Sequence, residues 1–132
     1  MNYHAVAQSH HGREEELQWA RIVSTGDAAR GVALVFIQKL CTAFHEFVPA
    51  WEAGALNSSR LEFFRERLAG RTQRVLDVLY GNGLESLDGV LALRELLSRI
   101  QSAERLQALA DLAEEIHQTN HVLCDALERE RQ

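Results

Sequence analysis

The 132-residue chain contains only two cysteines and one proline. The cysteines, Cys41 and Cys124, are too few for a disulfide framework, so we expect both to be thiols in a reducing compartment. Because proline interrupts helices, a single one, Pro49, leaves room for long helices. Glycine is also sparse, with eight residues, which argues against a disordered or fibrous chain.

The chain also lacks an uninterrupted apolar run of the roughly 18 to 20 residues that a membrane helix needs. Its densest apolar stretch, 32–47, is interrupted by Gln38, Lys39 and His45. Residues 1–4 show neither the cationic nor the apolar region of a secretion signal. We therefore expect a cytoplasmic protein with no membrane partner, and the net charge of -5 argues against nucleic acid as a partner.

Familiar catalytic motifs are missing as well. The sequence has no glycine-rich phosphate loop, no nucleophile elbow and no H-E-x-x-H string. We therefore expect a protein that is not an enzyme, with a small enzyme assembled from distant residues as an open alternative.

Lysine is nearly absent, since Lys39 is the only one beside thirteen arginines. A GC-rich bacterial coding genome explains this skew without any function. Alternatively, the planar guanidinium of arginine suits ion pairs at protein interfaces better than the ammonium of lysine does. The positions of the arginines decide between the two interpretations.

Apolar residues recur at helical spacing along nearly the whole chain, and no alternating strand pattern of useful length occurs. The sequence predicts an all-α fold, an antiparallel up-and-down bundle of four to five helices joined by short connections. Residues 1–12 are predicted to form a flexible N-terminal arm, and residues 13–132 a single helical-bundle domain. The predicted helices span residues 13–23, 28–47, 59–80, 86–100 and 103–128.

Local signals set the predicted helix boundaries. Pro49 is expected to stop the second helix, and residues 59–62 match a capping box that opens the third. Residues 81–83, Gly-Asn-Gly, end the third helix, and Ser102 is expected to cap the fifth. The junction at 100–102 carries no glycine or proline, so the fourth and fifth helices are alternatively one bent helix.

The second predicted helix is apolar over more than half of its circumference. Such a helix is either the central core helix of the bundle or one that also meets a second copy of the chain. The second possibility predicts a homo-oligomer. The residues that share its broad face are Val32, Ala33, Phe36, Ile37, Leu40, Phe44 and Phe47.

Four arginines of the third predicted helix, Arg60, Arg67, Arg71 and Arg74, fall within about 60 degrees of one another at helical spacing. One interpretation is a solvated helix edge paired with carboxylates of the same bundle, in the segments 14–16 and 111–115. The other is a docking edge for a partner protein with an acidic surface, or for phosphate.

Two aromatic residues are further candidates for a partner contact. Phe63 lies off the inner stripe of the third predicted helix, so it is either packed under a loop or exposed. Trp51 follows Pro49 in a short predicted turn, where it could contact a partner.

Histidines and cysteines at helical spacing suggest an alternative function. His117 and His121 are four residues apart with Cys124 in the next turn, and Cys41 and His45 repeat the spacing on the second predicted helix. Together they could bind zinc or another transition metal between the two helices, in a metal-binding or sensor bundle. The competing interpretation places His117 and Asn120 inside the bundle as hydrogen-bonded polar residues and His121 at the surface.

Several segments resemble a known family. Residues 68–77 combine a leucine, a Thr-Gln pair and an apolar-acidic ending, and residues 109–114 and 122–125 resemble a last helix when one residue is gapped. Residues 36–40 and the pair Trp51-Glu52 add a fainter match. These segments resemble the Rsd/AlgQ anti-sigma regulators, although that family's basic, tryptophan-bearing first helix and its Gly-His-Phe element are not found. The resemblance implies a helical bundle that binds the primary sigma factor.

Taken together, these patterns predict a non-enzymatic regulatory or adaptor protein of the bacterial cytoplasm without a cofactor. It would act through protein-protein interaction, with transcription machinery as a possible target. The partner-binding candidates are Arg60, Arg67, Arg71, Arg74, Phe63 and Trp51.

Overall fold

The computed structural model describes residues 26–129, and every regular element in this part of the chain is a helix. The predicted all-α fold is therefore confirmed. The predicted N-terminal arm and the predicted helix 13–23 lie outside the described residues. The elements are α1 (Gly26–Glu52), a 3-10 turn (Ser58–Arg60), α2 (Leu61–Gly81), α3 (Val90–Gln101), α4 (Leu106–Asp111) and α5 (Ala113–Arg129).

The four longer helices pack as a bundle. Helix α1 packs against α2, α2 against α3, and α5 closes the ring by contacting both α1 and α3, while the short α4 also touches α1. Consecutive helices are thus neighbours, as in an up-and-down bundle with short connections. The Arg99 guanidinium of α3 and the Glu115 carboxylate of α5 add a bidentate surface ion pair, with N–O distances of 2.7 and 3.3 Å.

The core lies along the broad apolar face of α1. All seven predicted members of that face are buried, and Phe47 is completely inaccessible to solvent. The outward-facing Val35 is 53% exposed. Because α2, α4 and α5 cover the broad face, the packing favours the interpretation of α1 as the central core helix, and self-association through it stays a prediction.

The prediction that Pro49 stops this helix is wrong, since α1 continues to Glu52. Proline cannot donate to the carbonyl of His45 and its ring crowds that carbonyl, but His45 is exposed and lies in the last two turns of the helix. The helix ends instead in a Schellman motif around Gly54, whose φ is +72°. There the Ala55 N–H bonds the Ala50 carbonyl at 3.0 Å.

The predicted capping box at the start of α2 does not form. Asn57 caps the preceding 3-10 turn, because its side chain accepts a hydrogen bond from the Ser59 N–H at 3.1 Å. The Ser59 hydroxyl also donates to the Asn57 side chain, so it is not available to cap α2. The end of α2 at Gly81 agrees with the prediction.

Helix α3 begins at Val90, later than predicted. Gly89 precedes it with a φ of +97°, a conformation that favours glycine. A Cβ atom at this position would lie 3.0 Å from the Leu123 side chain of α5. The glycine therefore allows the start of α3 to approach α5 closely.

The predicted helix 103–128 is divided into α4 and α5, and the alternative of one bent helix from 86 to 128 is also wrong. The Ser102 hydroxyl donates to the Ser98 carbonyl at 2.7 Å, so Ser102 closes α3 rather than capping the next helix. At Leu112 the backbone N–H bonds the Leu109 carbonyl at 3.1 Å, which tightens the turn. This adjustment buries Leu109, Leu112 and Ile116 together.

One described helix is long and apolar enough to cross a membrane when only length and composition are considered. It is Ala28–Glu52, with a mean hydropathy of 1.3. Polar residues interrupt the apolar stretch 32–47 of this helix, but the apolar residues around them keep the average hydropathy high. The core helix of a water-soluble protein meets the same criterion, and this helix carries the core of the bundle.

Candidate functional site

Three of the four predicted partner-binding arginines line one open groove of about 320 Å³ on α2, which we call the arginine groove. The spacing of these residues places them on one face, since positions i, i+4 and i+7 of a helix are adjacent. The buried residues of α2, among them Leu68, Val75 and Leu79, anchor the helix in the core. The groove is lined by Phe63, Glu66, Arg67, Gly70, Arg71 and Arg74.

Arg67 ties this groove to α1. Its guanidinium lies 2.8 Å from the Glu46 carboxylate, with the two side chains 31% and 54% exposed. An ion pair at this exposure contributes at most about 1 kcal/mol to stability. It does orient the guanidinium at the side of the groove, and it shows that a carboxylate can reach this position.

An aromatic side chain closes one end of the arginine groove. The Phe63 ring is 49% exposed and packs edge-on against the buried Phe64, with 5.0 Å between ring centroids. The Arg60 guanidinium lies 4.5 Å from the Phe63 ring centroid, as in a cation–π contact. Of the two positions predicted for Phe63, the exposed one is therefore observed.

Gly70 forms an open part of the groove. A Cβ atom built on Gly70 would have no neighbour within 4 Å among the described residues. Glycine inside a helix costs about 1 kcal/mol relative to alanine, so packing within the described part of the chain gives no reason for it. Gly70 stands in the middle of the third predicted helix, where a glycine is unusual, so the sequence itself could have identified this position.

Trp51 is not part of this groove. It is half-buried and packs against the hydrophobic core at the end of α1. The structure therefore separates it from the arginine groove, although the sequence interpretation grouped the two.

The carboxylates of the segment 111–115 bind residues other than the four predicted partner-binding arginines. Glu115 pairs with Arg99 at 2.7 Å, and Asp111 accepts a hydrogen bond from Gln107 at 2.7 Å. Glu114 accepts one from Gln118 at 3.1 Å. The predicted acidic residues 14–16 lie outside the described residues.

The five predicted metal ligands do not line one common pocket. Cys41, His45 and His117 line one pocket of about 270 Å³ between α1 and α5, but His121 and Cys124 do not line it. Among residues 26–129, no three His, Cys, Asp or Glu side chains are arranged to hold a metal ion. Helical spacing placed each pair on one face correctly but did not determine how the two helices align.

The polar residues of α5 also differ in part from prediction. Asn120 is buried as expected, and His121 is exposed, but His117 is exposed rather than inside the bundle. The Asn120 side-chain N–H donates to the Cys41 Sγ at 3.2 Å. Sequence reasoning missed this contact, because it joins residues 79 positions apart.

The two thiols have different surroundings. Burial raises the pKa of Cys124, and the nearby Cys41, Asp125 and Glu128 raise it further. Cys41 instead combines exposure to the pocket with an N–H donor at its sulfur.

No protein-family model, curated protein or solved structure matches this chain. The resemblance to the Rsd/AlgQ regulators therefore stays a prediction. The candidate sites rest on the geometry of the chain itself.

Proposed function

We propose that this chain is a non-enzymatic regulatory or adaptor protein of the bacterial cytoplasm that binds an acidic surface of a partner protein through the arginine groove. The observation that carries the proposal is that Arg67, Arg71 and Arg74 line one groove together with Phe63. Arginine is among the residue types that dominate binding energy at protein interfaces, and phenylalanine is enriched there.

The charge of the groove indicates what kind of surface fits it. The net charge of the chain is -5, and the groove gathers three arginines beside one carboxylate, Glu66. The planar guanidinium can bind a carboxylate through two parallel hydrogen bonds, and Arg67 already holds the Glu46 carboxylate through a single N–O contact of 2.8 Å. An acidic helix is a suitable partner element, because it presents carboxylates every three to four residues along its face.

Reversing two charges of the groove tests this proposal. Arg67→Glu with Arg71→Glu should weaken partner capture more than tenfold, because attraction to carboxylates becomes repulsion. The full chain is used to capture proteins from the host lysate, captured proteins are identified by mass spectrometry, and each is then purified and titrated directly against the chain. The partner should also be released by added salt.

The matched control reverses two exposed arginines elsewhere, Arg94→Glu with Arg105→Glu, so both variants have the same net charge. Circular dichroism checks that helicity is retained in each. Equal affinity of the groove variant and the control variant for every captured protein would overturn the proposal.

Gly70 provides a second test of the groove. Gly70→Ala should raise the free energy of unfolding by about 1 kcal/mol, because alanine is the better helix former. It should at the same time weaken partner binding several-fold, because a methyl group then stands where the partner approaches. Gly31→Ala is the control, since Gly31 is also helical with an open Cβ position but lies outside the groove. Gly70→Ala that binds as tightly as Gly31→Ala would show that nothing approaches the helix at Gly70.

A further inference from the structure

The pocket between α1 and α5 combines apolar walls with a thiol. Phe44, Val48 and Ile116 supply apolar surface, and the Cys41 side chain lines the same space of about 270 Å³. A concave, mostly apolar space with a few polar groups is the usual form of a small-molecule site. This pocket is separate from the arginine groove, which lies on α2.

A buried amide contacts the thiol of Cys41. Asn120 is only 3% exposed, and its side-chain N–H donates to the Cys41 Sγ at 3.2 Å. Such a donor stabilises negative charge that develops on the sulfur. The Asn120 carbonyl oxygen, by contrast, has no hydrogen-bond partner among the described residues. A buried polar group that is only partly satisfied costs stability, so this amide is not explained by hydrogen bonding within the described residues alone.

Two imidazoles lie at the rim of the same pocket. His45 and His117 both line it and are exposed, and Glu114 is the carboxylate that lines it beside them. Imidazole is the commonest general acid–base group in proteins, so a histidine of this lining is suited to carry the thiol proton to a bound molecule. The pocket thus combines a nucleophile, an N–H donor at its sulfur and two imidazoles in its lining.

We propose that Cys41 is a modification site at which this pocket captures small, apolar α,β-unsaturated carbonyl compounds. The Cys41 sulfur forms a bond to the β-carbon of the compound while the carbon–carbon π bond breaks. That electron pair moves toward the carbonyl to give an enolate. The proton lost by the thiol returns to the α-carbon through the rim imidazole, so the addition has no leaving group and needs no oxidant.

Cys124 serves as an internal reference. It lies on α5 and does not line the pocket, and its raised pKa reduces its thiolate fraction at neutral pH. A reagent that needs only a thiol distinguishes the two residues within one molecule.

The experiment treats the full chain with a limiting amount of N-ethylmaleimide at neutral pH and follows both cysteines by peptide mass spectrometry. We expect Cys41 to react at least tenfold faster than Cys124. Cys41 should also react faster in the folded chain than in the chain unfolded in guanidinium, because a thiol that is merely accessible does not exceed its rate in the unfolded chain.

Histidine variants test the role of the rim. Replacing both rim residues, His45→Ala with His117→Ala, should slow the labelling of Cys41 several-fold, whereas His121→Ala should leave it unchanged, since His121 is exposed but outside the pocket. Equal labelling of Cys41 and Cys124, or a folded rate no greater than the unfolded rate, would overturn the proposal. Equal labelling rates of Cys41 in the two histidine variants would show that the rim imidazoles take no part in the reaction.

Discussion

Replacement of Phe47 by alanine is expected to lower the free energy of unfolding by about 3–5 kcal/mol. Phe47 is fully buried, and its ring packs at a tilt against Phe64 with 5.1 Å between centroids. Because it stands where the end of α1 meets the start of α2, the variant loses apolar burial and leaves a cavity. Denaturant unfolding followed by circular dichroism measures the loss.

The control is Val35→Ala, which trims a side chain of the same helix that is 53% exposed. Its effect should stay within about 0.5 kcal/mol. If the two variants destabilise the chain equally, then Phe47 is not at the centre of the core. Phe63→Ala is informative as well, because Phe63 is half exposed and its loss should affect the arginine groove more than stability.

The core could be predicted from the sequence because helical periodicity decides which side of a helix faces inward. Phe36, Leu40 and Phe47 on α1 repeat at the spacing of one helix face, and all are buried. The periodicity says nothing about local backbone adjustments. The tight turn at Leu112 depends on how α4 and α5 meet the rest of the bundle, so the sequence predicted one helix where there are two.

The predictions of two helix ends were wrong for a related reason. Proline and serine are signals whose effect depends on neighbouring atoms. Pro49 is tolerated because His45 beside it is at the surface, and Ser59 is occupied by Asn57. The end of α2 was predicted correctly, since two glycines next to Asn82 leave few alternatives.

The arginine groove could be predicted from the sequence, whereas the composition of the α1–α5 pocket could not. The arginines belong to one helix, so their spacing alone places Arg67, Arg71 and Arg74 together. The proposed metal ligands belong to two helices, so the distances between them depend on the register between α1 and α5. That alignment brings Cys41 level with Asn120 and leaves His121 outside.

The buried amide of α5 leads to the second large expected effect. Asn120→Asp should lower the free energy of unfolding at pH 7 by about 3–5 kcal/mol, because it places an unpaired carboxylate in a buried site. Burial raises the pKa of the new carboxyl in the folded chain above its usual value of about 3.9. Below that value the carboxyl is protonated in both states, so the ionisation penalty is absent.

As the pH rises, the unfolded chain loses this proton before the folded chain does. The variant should therefore lose stability relative to the parent by up to about 1.4 kcal/mol per pH unit until the folded carboxyl also ionises. Unfolding of both proteins in urea at about pH 4 and about pH 7 measures the difference. A penalty that is the same at both pH values would show that the site is hydrated.

Asn120→Leu is the matched variant, and its expected effect is the opposite. It removes the unpartnered oxygen while filling a similar volume, so stability should be unchanged or rise by about 1 kcal/mol. The labelling of Cys41 should slow at the same time, because the N–H donor at its sulfur is lost. A more stable chain with a slower thiol would mean that Asn120 is kept for the chemistry of Cys41 rather than for the fold. A destabilised chain with an unchanged thiol would mean that the amide serves packing alone.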